Sequence, residues 1–505
     1  MADISILLDT LRVLDTTINV ETIITEFHAL SEADKDDRRL STAKKIFPLI
    51  FGDNASVQGD IDFSERTKTT WSTSCELSPG IFISPETPQD VGRILALCQF
   101  LGLKFSVRGG GHLHNPGFSS NDGGVVISMK NLNAVTVSED KLTVDIGVGL
   151  VWIDVYKALE EHDIAVIGGR QPAIGVAGFL LGGGLSFQNS ERGLSCHGVV
   201  EFEIVLADST VAKVNATNNK ELFWALKGGG SNFGIVTKVT MSAISNKVWC
   251  EGRVYAPKEN KKICEAIMEY HKASEKDSKA TLIWHTVEEA TTLILVYADP
   301  VEEQPAIFNV FDEIEPLVSM VPPKIYSILE IVSIFDELTV TEPKSHDIRI
   351  MTSMPDLELY NAVEECRLQQ IDALKDVPGA RVTLTIQPMS PSAFTAGVNQ
   401  GGDPLGLTAQ SQQWLVVLMD WSNPEDDAVV LEASRKIVDL AESVARKNGT
   451  YLDFKYSNYC SRDQDPLASY GAENVRKLRS IADAVDPRGV FQKLQNDGWL
   501  LSKTV

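Results

Sequence analysis

Ser106-Val-Arg-Gly-Gly-Gly-His112 ends a short strand-like run with three consecutive glycines and a histidine. Glycines without side chains let backbone N–H groups approach an anion such as a diphosphate, the nest arrangement. A second run follows, Gly168-Gly-Arg-Gln-Pro-Ala-Ile-Gly-Val-Ala-Gly-Phe-Leu-Leu-Gly-Gly-Gly184. Either alone marks a turn. Neither contains the Gly-Lys-Ser/Thr of a P-loop. No acidic residue stands at the offset that a dinucleotide-binding βαβ unit requires.

Outward from these loops, Thr87–Phe100 reads as a helix with proline at its first turn. Lys104–Val107, Val125–Met129 and Leu142–Val148 read as short strands, and Trp152–His162 as an amphipathic helix. Val199–Ala207 and Val211–Val214 predict a hairpin, followed by a helical turn at Leu222–Lys227. Residues 1 to about 50 predict helices, with apolar spacing over Ile4–Leu14 and Ile23–Leu30.

The texture changes near residue 246. Thr281–Thr286 and Thr292–Tyr297 predict an antiparallel pair, and Arg381–Ile386 and Trp414–Trp421 further strands. Helices are predicted at Lys262–Ala273, Gln304–Pro316, Asp356–Leu374, Asp427–Asn448 and Gly471–Ala484. The fold class is therefore α+β with an antiparallel sheet. The division is a helical segment 1–60, a first lobe 61–245, a substrate lobe 246–450 and a returning segment 451–505.

The charge count, 46 basic against 69 acidic side chains, leaves −23. Such a surface argues against nucleic acid and anionic membranes as partners. No apolar run approaches the roughly 18–20 residues of a membrane span. The first residues lack a basic n-region and a long apolar stretch, so a cytoplasmic location is expected. Seven scattered cysteines show no metal or disulfide spacing, and no metal site is expected.

In order and spacing the chain resembles the berberine bridge enzyme-like FAD-linked oxidases, of the vanillyl-alcohol-oxidase (PCMH-type) flavoproteins. The matching stretches are Pro85–Phe105, Arg108–Gly117, Gly168–Gly184, Asp208 with Leu222–Thr237, Tyr456-Ser-Asn-Tyr459, Tyr470–Asn474 and Asp486–Gln492. They span roughly residues 65 to 495. The resemblance implies an FAD lobe built from both ends of the chain, with a substrate lobe between.

It also implies residue roles. His112 would bond covalently to the 8α-methyl of the flavin, with His114, two residues on, as the nearby competitor. Arg108, Gly109, Gly110 and Gly111 would form the first loop; Gln171, Ile174, Gly175, Gly178 and Gly183 the second. Asn232, Gly234, Ile235 and Val236 would pack, with Phe233, around the ADP half, and Asn458 would join the cofactor set. Where many relatives carry a cysteine bonded to flavin C6, this chain has Gln171, so a single covalent link is expected and no cysteinyl one. Cys196 reads as a packed thiol. Ile174 matches a position that gates oxygen, with simple packing as the competing reading.

In Arg192–Gly198, His197 and Gly198 stand where the family has Asp and Asn, so His197 is either a new active-site group or a structural one. Tyr456 and Tyr459 are placed near the isoalloxazine as candidate bases; a core role for one of them competes. Gln387 falls near the place of a catalytic glutamate in some relatives, so this chain would lack that carboxylate. His285 and Asp420 lie on predicted strands, facing the pocket or away from it.

The expected activity is FAD-dependent oxidation of a small organic substrate, of a secondary-metabolite kind, with O2 accepting the electrons to give hydrogen peroxide. The alternatives are a redox-silent isomerase or cyclase that keeps FAD, and a non-catalytic binding protein. No protein partner is inferable.

Overall fold

A computed structural model describes Leu7, Leu11, residues 18–338, residue 342 and residues 344–505. The helix expected over Ile4–Leu14 thus lies outside the described residues apart from two buried leucines. β1 (Ala55–Val57), β2 (Ile81–Ile83), β3 (Phe105–Arg108) and β4 (Val125–Ser128) form a sheet ordered β1-β2-β4-β3, parallel where β4 meets β2 and β3. Parallel strands need a crossover. The helix Pro88–Leu101 provides it, with a Thr87/Asp90 capping box, proline in its first turn and left-handed Gly102 as its stop.

β5 (Val135–Val137), β6 (Thr143–Gly147), β7 (Ile164–Ala165), β8 (Val199–Val205), β9 (Val211–Asn215), β10 (Ile235–Ser242) and β11 (Ile244–Ser245) follow. Five of them make an antiparallel sheet ordered β5-β6-β10-β8-β9, while β7 pairs with β11. The expected hairpin is the β8/β9 pair. The chain's end returns to this lobe: Phe105 and Asn496 exchange backbone hydrogen bonds with Leu494 and Phe105, respectively.

β12 (Lys247–Tyr255), β13 (Ala280–Thr286), β14 (Thr291–Tyr297), β15 (Val318–Ser327), β16 (Ser345–Ser353), β17 (Arg381–Met389), β18 (Gln412–Trp421) and β19 (Tyr451–Leu452) make an antiparallel sheet ordered β15-β12-β14-β13-β17-β18-β16-β19. Its two faces follow from the two-residue period of a strand. Trp284, Leu384, Ile386, Leu415, Val417 and Met419 point to one side, into a core shared with helices Asn260–Ser274, Leu357–Ala373 and Asp427–Asn448. Ile350, Trp414 and Val416 point to the other, into the core of the first lobe. The sheet is thus the wall between the helical layer and the glycine loops.

One local reading fails here for a physical reason. The helix expected over Gln304–Pro316 is only a 3-10 segment, Ala306–Phe311, because Pro305 and Pro316 bracket it and Phe308 and Phe311 anchor it in the core. β15 contains Pro322-Pro323, which argues against a strand, but it sits at the sheet edge and pairs only with β12, where a missing N–H is tolerated. Among the described residues no helix is long and apolar enough to cross a membrane.

Candidate active site

The two glycine loops meet backbone to backbone. A Cβ on Gly110 would lie 2.6 Å from the Gly175 nitrogen and 2.8 Å from its Cα, and one on Gly175 would strike the Gly110 nitrogen. By contrast, Gly178 faces open space, and the nearest atom to a Cβ on Gly109 is 3.7 Å away. Bare peptide with free space beside Gly109 and Gly178 suits close approach of a diphosphate, so the residues present fit FAD. Gly110→Ala is expected to cost about 1–3 kcal/mol by forcing the loops apart, read as a lower unfolding midpoint.

Arg108 braces this cradle from behind. Its guanidinium, buried, donates to the Thr67 and Ser119 carbonyls and to Thr69 Oγ1, and burial pushes its pKa down to about 10. Asn232 is likewise committed: it donates to the Gly229 and Trp499 carbonyls and accepts from Gln492 and from the Leu501 N–H. It ties the chain's end to Gly228-Gly-Gly230. Gly234, Ile235 and Val236 run from that turn into β10, buried. Asn458 donates to the Phe179 carbonyl and the Tyr456 hydroxyl. A Cβ on Gly182 would strike its side chain, and one on Gly183 would lie 3.4 Å from the Tyr456 ring. On the second loop, Gln171 is exposed and Ile174 half-buried.

His112 lies under Trp71, with ring centroids 4.4 Å apart and planes 18° from parallel. Removal from water, with His346 nearby, pushes it down to about 4, so its imidazole is neutral at pH 7. A neutral ring nitrogen is the nucleophilic form. His114 instead points away, its Nε2–H donating to the Cys460 carbonyl at 3.0 Å.

The fold also gathers Arg170, Gln387, Tyr456 and Tyr459. Tyr456 caps and Tyr459 ends a single 3-10 turn, Ser457–Tyr459, which brings the two rings together, edge to face at 4.9 Å. Arg170 Nη2 donates to Gln387 Oε1 at 2.5 Å and to the Tyr459 hydroxyl at 3.3 Å. Tyr456 is the enclosed member, stacked on Trp414 at 5.0 Å. Burial, and Tyr459 beside it, hold its phenol well above the usual range. Arg170 carries no role in the sequence reading, although it is the sole charged residue between Asp163 and Glu191.

His285 and Asp420 lie on the face of the sheet that Gln387 occupies, by register. His285 Nδ1 is 3.0 Å from Thr385 Oγ1, and Asp420 accepts from His346 Nδ1–H at 2.7 Å. His197 is structural: Nδ1 accepts the Leu194 N–H and Nε2–H donates to Asp403 at 2.9 Å. Cys196 is buried, its thiol toward the Lys227 carbonyl. Among the described residues no His, Cys, Asp and Glu cluster could hold a metal ion.

Burial also pushes His114, His271 and His285 down, to about 4, 3 and 4. An unfolded chain protonates these rings below about pH 6.5, whereas the folded one does so only below about pH 4. Stability is therefore lost as pH falls through that window. Asp347, pushed up to about 6 by burial, works in the opposite sense. With His112 these make four, against Asp347 and against His197, which Cys196 and Asp403 raise to about 10 in spite of its burial; the balance predicts a loss on the order of 5 kcal/mol between pH 7 and pH 5 in protein without tethered flavin, read from urea midpoints.

Residues 79–215 match the profile of an FAD binding domain. That match, on the segment that carries both glycine loops, places the chain among the FAD-linked oxidoreductases. It is 34% identical over 460 residues to an FAD-dependent monooxygenase of Arthrobotrys oligospora, covering 91% of this chain and 89% of the relative. A Fusarium proliferatum FAD-dependent monooxygenase is 32% identical, covering 84% and 85%. Among solved structures, the Physcomitrella patens berberine bridge enzyme-like protein superposes with a TM-score of 0.75 at 17% identity, covering 92% of this chain and 99% of that one. The Acremonium strictum glucooligosaccharide oxidase, whose structure describes a 6-S-cysteinyl, 8α-N1-histidyl FAD, gives 0.72 at 19%, covering 90% and 97%. The chain belongs to the family of FAD-dependent oxidoreductases that includes these fungal monooxygenases, and its fold is that of the berberine bridge enzyme-like proteins.

Proposed function

We propose that this protein oxidises a small aromatic or polyketide-like secondary metabolite, with FAD held by the two glycine loops and tethered once, at His112. The observation that carries the reading is the Arg170–Tyr459–Gln387 cluster, which hangs from the second glycine loop through Arg170. When bound, FAD supplies a two-electron hydride acceptor. Everything else is the work of side chains. Tyr459 takes the proton of a substrate O–H or N–H. Arg170, donating to the Tyr459 oxygen, stabilises the phenolate form that accepts this proton and becomes the phenol. Gln387 is an amide and cannot act as base; its carbonyl oxygen fixes the guanidinium. Tyr456, buried and raised, stays a phenol and backs Tyr459.

Substrate size and character follow from the sheet face above this cluster. Ile283, His285, Ile348, Thr385 and Leu418 are half-buried there, on strands whose other face is closed in the core. An apolar wall with a few hydrogen-bonding groups suits a flat hydroxylated ring. The glutamine at position 171 rules out a thioether there, leaving His112 as the single tether.

The fate of O2 separates two readings. As an oxidase the enzyme returns O2 as hydrogen peroxide. The fungal relatives are named monooxygenases, and insertion of an oxygen atom into the substrate is the second reading. Anaerobic addition of phenolic substrates should bleach the flavin; re-aeration under 18O2 then decides. Stoichiometric peroxide with unlabelled product supports the oxidase, and label in the product supports the monooxygenase. Absence of bleaching by every such substrate, in flavin-loaded protein, would contradict both and leave the isomerase or binding-protein alternatives.

A further inference from the structure

We propose that Trp71 is a positioning residue for attachment of FAD to His112, and that the His346–Asp420 pair holds Trp71 in place. This rests on the tether to His112 read above. Three rings form one stack: His112 on Trp71 at 4.4 Å, and Trp71 on His346 at 3.9 Å with planes only 3° apart. They come from three separate parts of the chain. His112 ends the first glycine loop, Trp71 sits on the strap before β2, and His346 lies on β16 of the substrate sheet.

Each ring is fixed by its own backbone or partner. The Trp71 N–H donates to the Gly111 carbonyl at 2.9 Å, next to His112 itself. On the other side, the strap is bonded to β16. The His346 N–H donates to Ser72 Oγ at 2.8 Å, and the Thr73 N–H to the Lys344 carbonyl at 2.9 Å. His346 Nδ1–H donates to Asp420 on the adjacent strand, which sets the plane of that imidazole.

The chemistry of attachment gives this stack a task. The reacting lone pair of an imidazole lies in the ring plane, so the ring must be turned until that plane contains the 8α carbon. His112 has two side-chain torsions that rotate it out of line; a flat indole face against the ring removes that freedom. In the overall step the imidazole N–H and one 8α C–H break and an N–C bond forms. The two electrons and two protons leave to O2 as hydrogen peroxide, so O2 is the oxidant. A ring misaligned by about 1 Å loses on the order of 100-fold in such a step.

The test uses full-length protein: wild type, Trp71→Phe, Trp71→Leu and His346→Leu. In each, bound FAD and the acid-stable share of it are measured at purification. The half-time with which the acid-labile part becomes acid-stable during incubation with FAD in air is then followed. Wild type and Trp71→Phe, which keeps a flat ring, should tether alike. Trp71→Leu should bind FAD but tether at least tenfold more slowly. His346→Leu, with Trp71 still present, should tether several-fold more slowly, and it carries the test alone if Trp71→Leu does not fold. Half-times equal to wild type in both leucine variants, or in His346→Leu alone if Trp71→Leu does not fold, would overturn the stack's role. A wild type that never holds acid-stable flavin would instead overturn the tether reading beneath it.

Discussion

Tyr459→Phe should leave the flavin spectrum and substrate binding unchanged while slowing flavin reduction roughly 100- to 10,000-fold. The substitution removes one oxygen, the atom to which Arg170 donates at 3.3 Å. No other group in the cluster can replace it as proton acceptor. Gln387 is an amide. Tyr456 is enclosed, its hydroxyl accepts from Asn458 at 2.9 Å, and its phenol is held well above the usual range. Tyr456→Phe should therefore cost far less in rate and show instead as a loss of packing against Trp414. Equal rates in wild type and Tyr459→Phe would remove the assignment.

His112→Ala should abolish acid-stable flavin altogether. Its imidazole is neutral and directly follows the three glycines of the first loop, and His114 is committed to the Cys460 carbonyl. FAD should still bind, because the loop contact at Gly110 and Gly175 is backbone and does not involve the histidine. A histidyl substituent withdraws electrons from the ring, so the untethered flavin should be the weaker hydride acceptor. Reduction by substrate is expected to slow about tenfold or more, each factor of ten being about 1.4 kcal/mol. Acid-stable flavin persisting in His112→Ala would move the tether to another residue.

Much of this was legible before any coordinates, and the exceptions share a cause. The glycine loops read clearly because the signal is local: bare backbone is needed where it is written. The β8/β9 and β13/β14 pairs read from period and turn residues. Arg170 was visible as an isolated charge in an apolar loop, but its meaning came from Gln387, 217 residues away, and Tyr459, 289 away. Trp71, His112 and His346 form a stack only because a strap crosses between two lobes. Nothing near Trp71 in sequence announces that. His197 shows the converse: a departure from the family pattern left a chemical and a structural reading open, and the ring is bonded at both nitrogens. Contacts made across the fold, rather than along the chain, decided each of these.

The most direct test of the central claim is acid precipitation of the purified full-length protein, with flavin absorbance measured in pellet and supernatant beside His112→Ala. The account predicts a yellow wild-type pellet and a colourless His112→Ala pellet with its flavin in the supernatant. Well-folded wild-type protein with no flavin in either fraction would contradict it at its root.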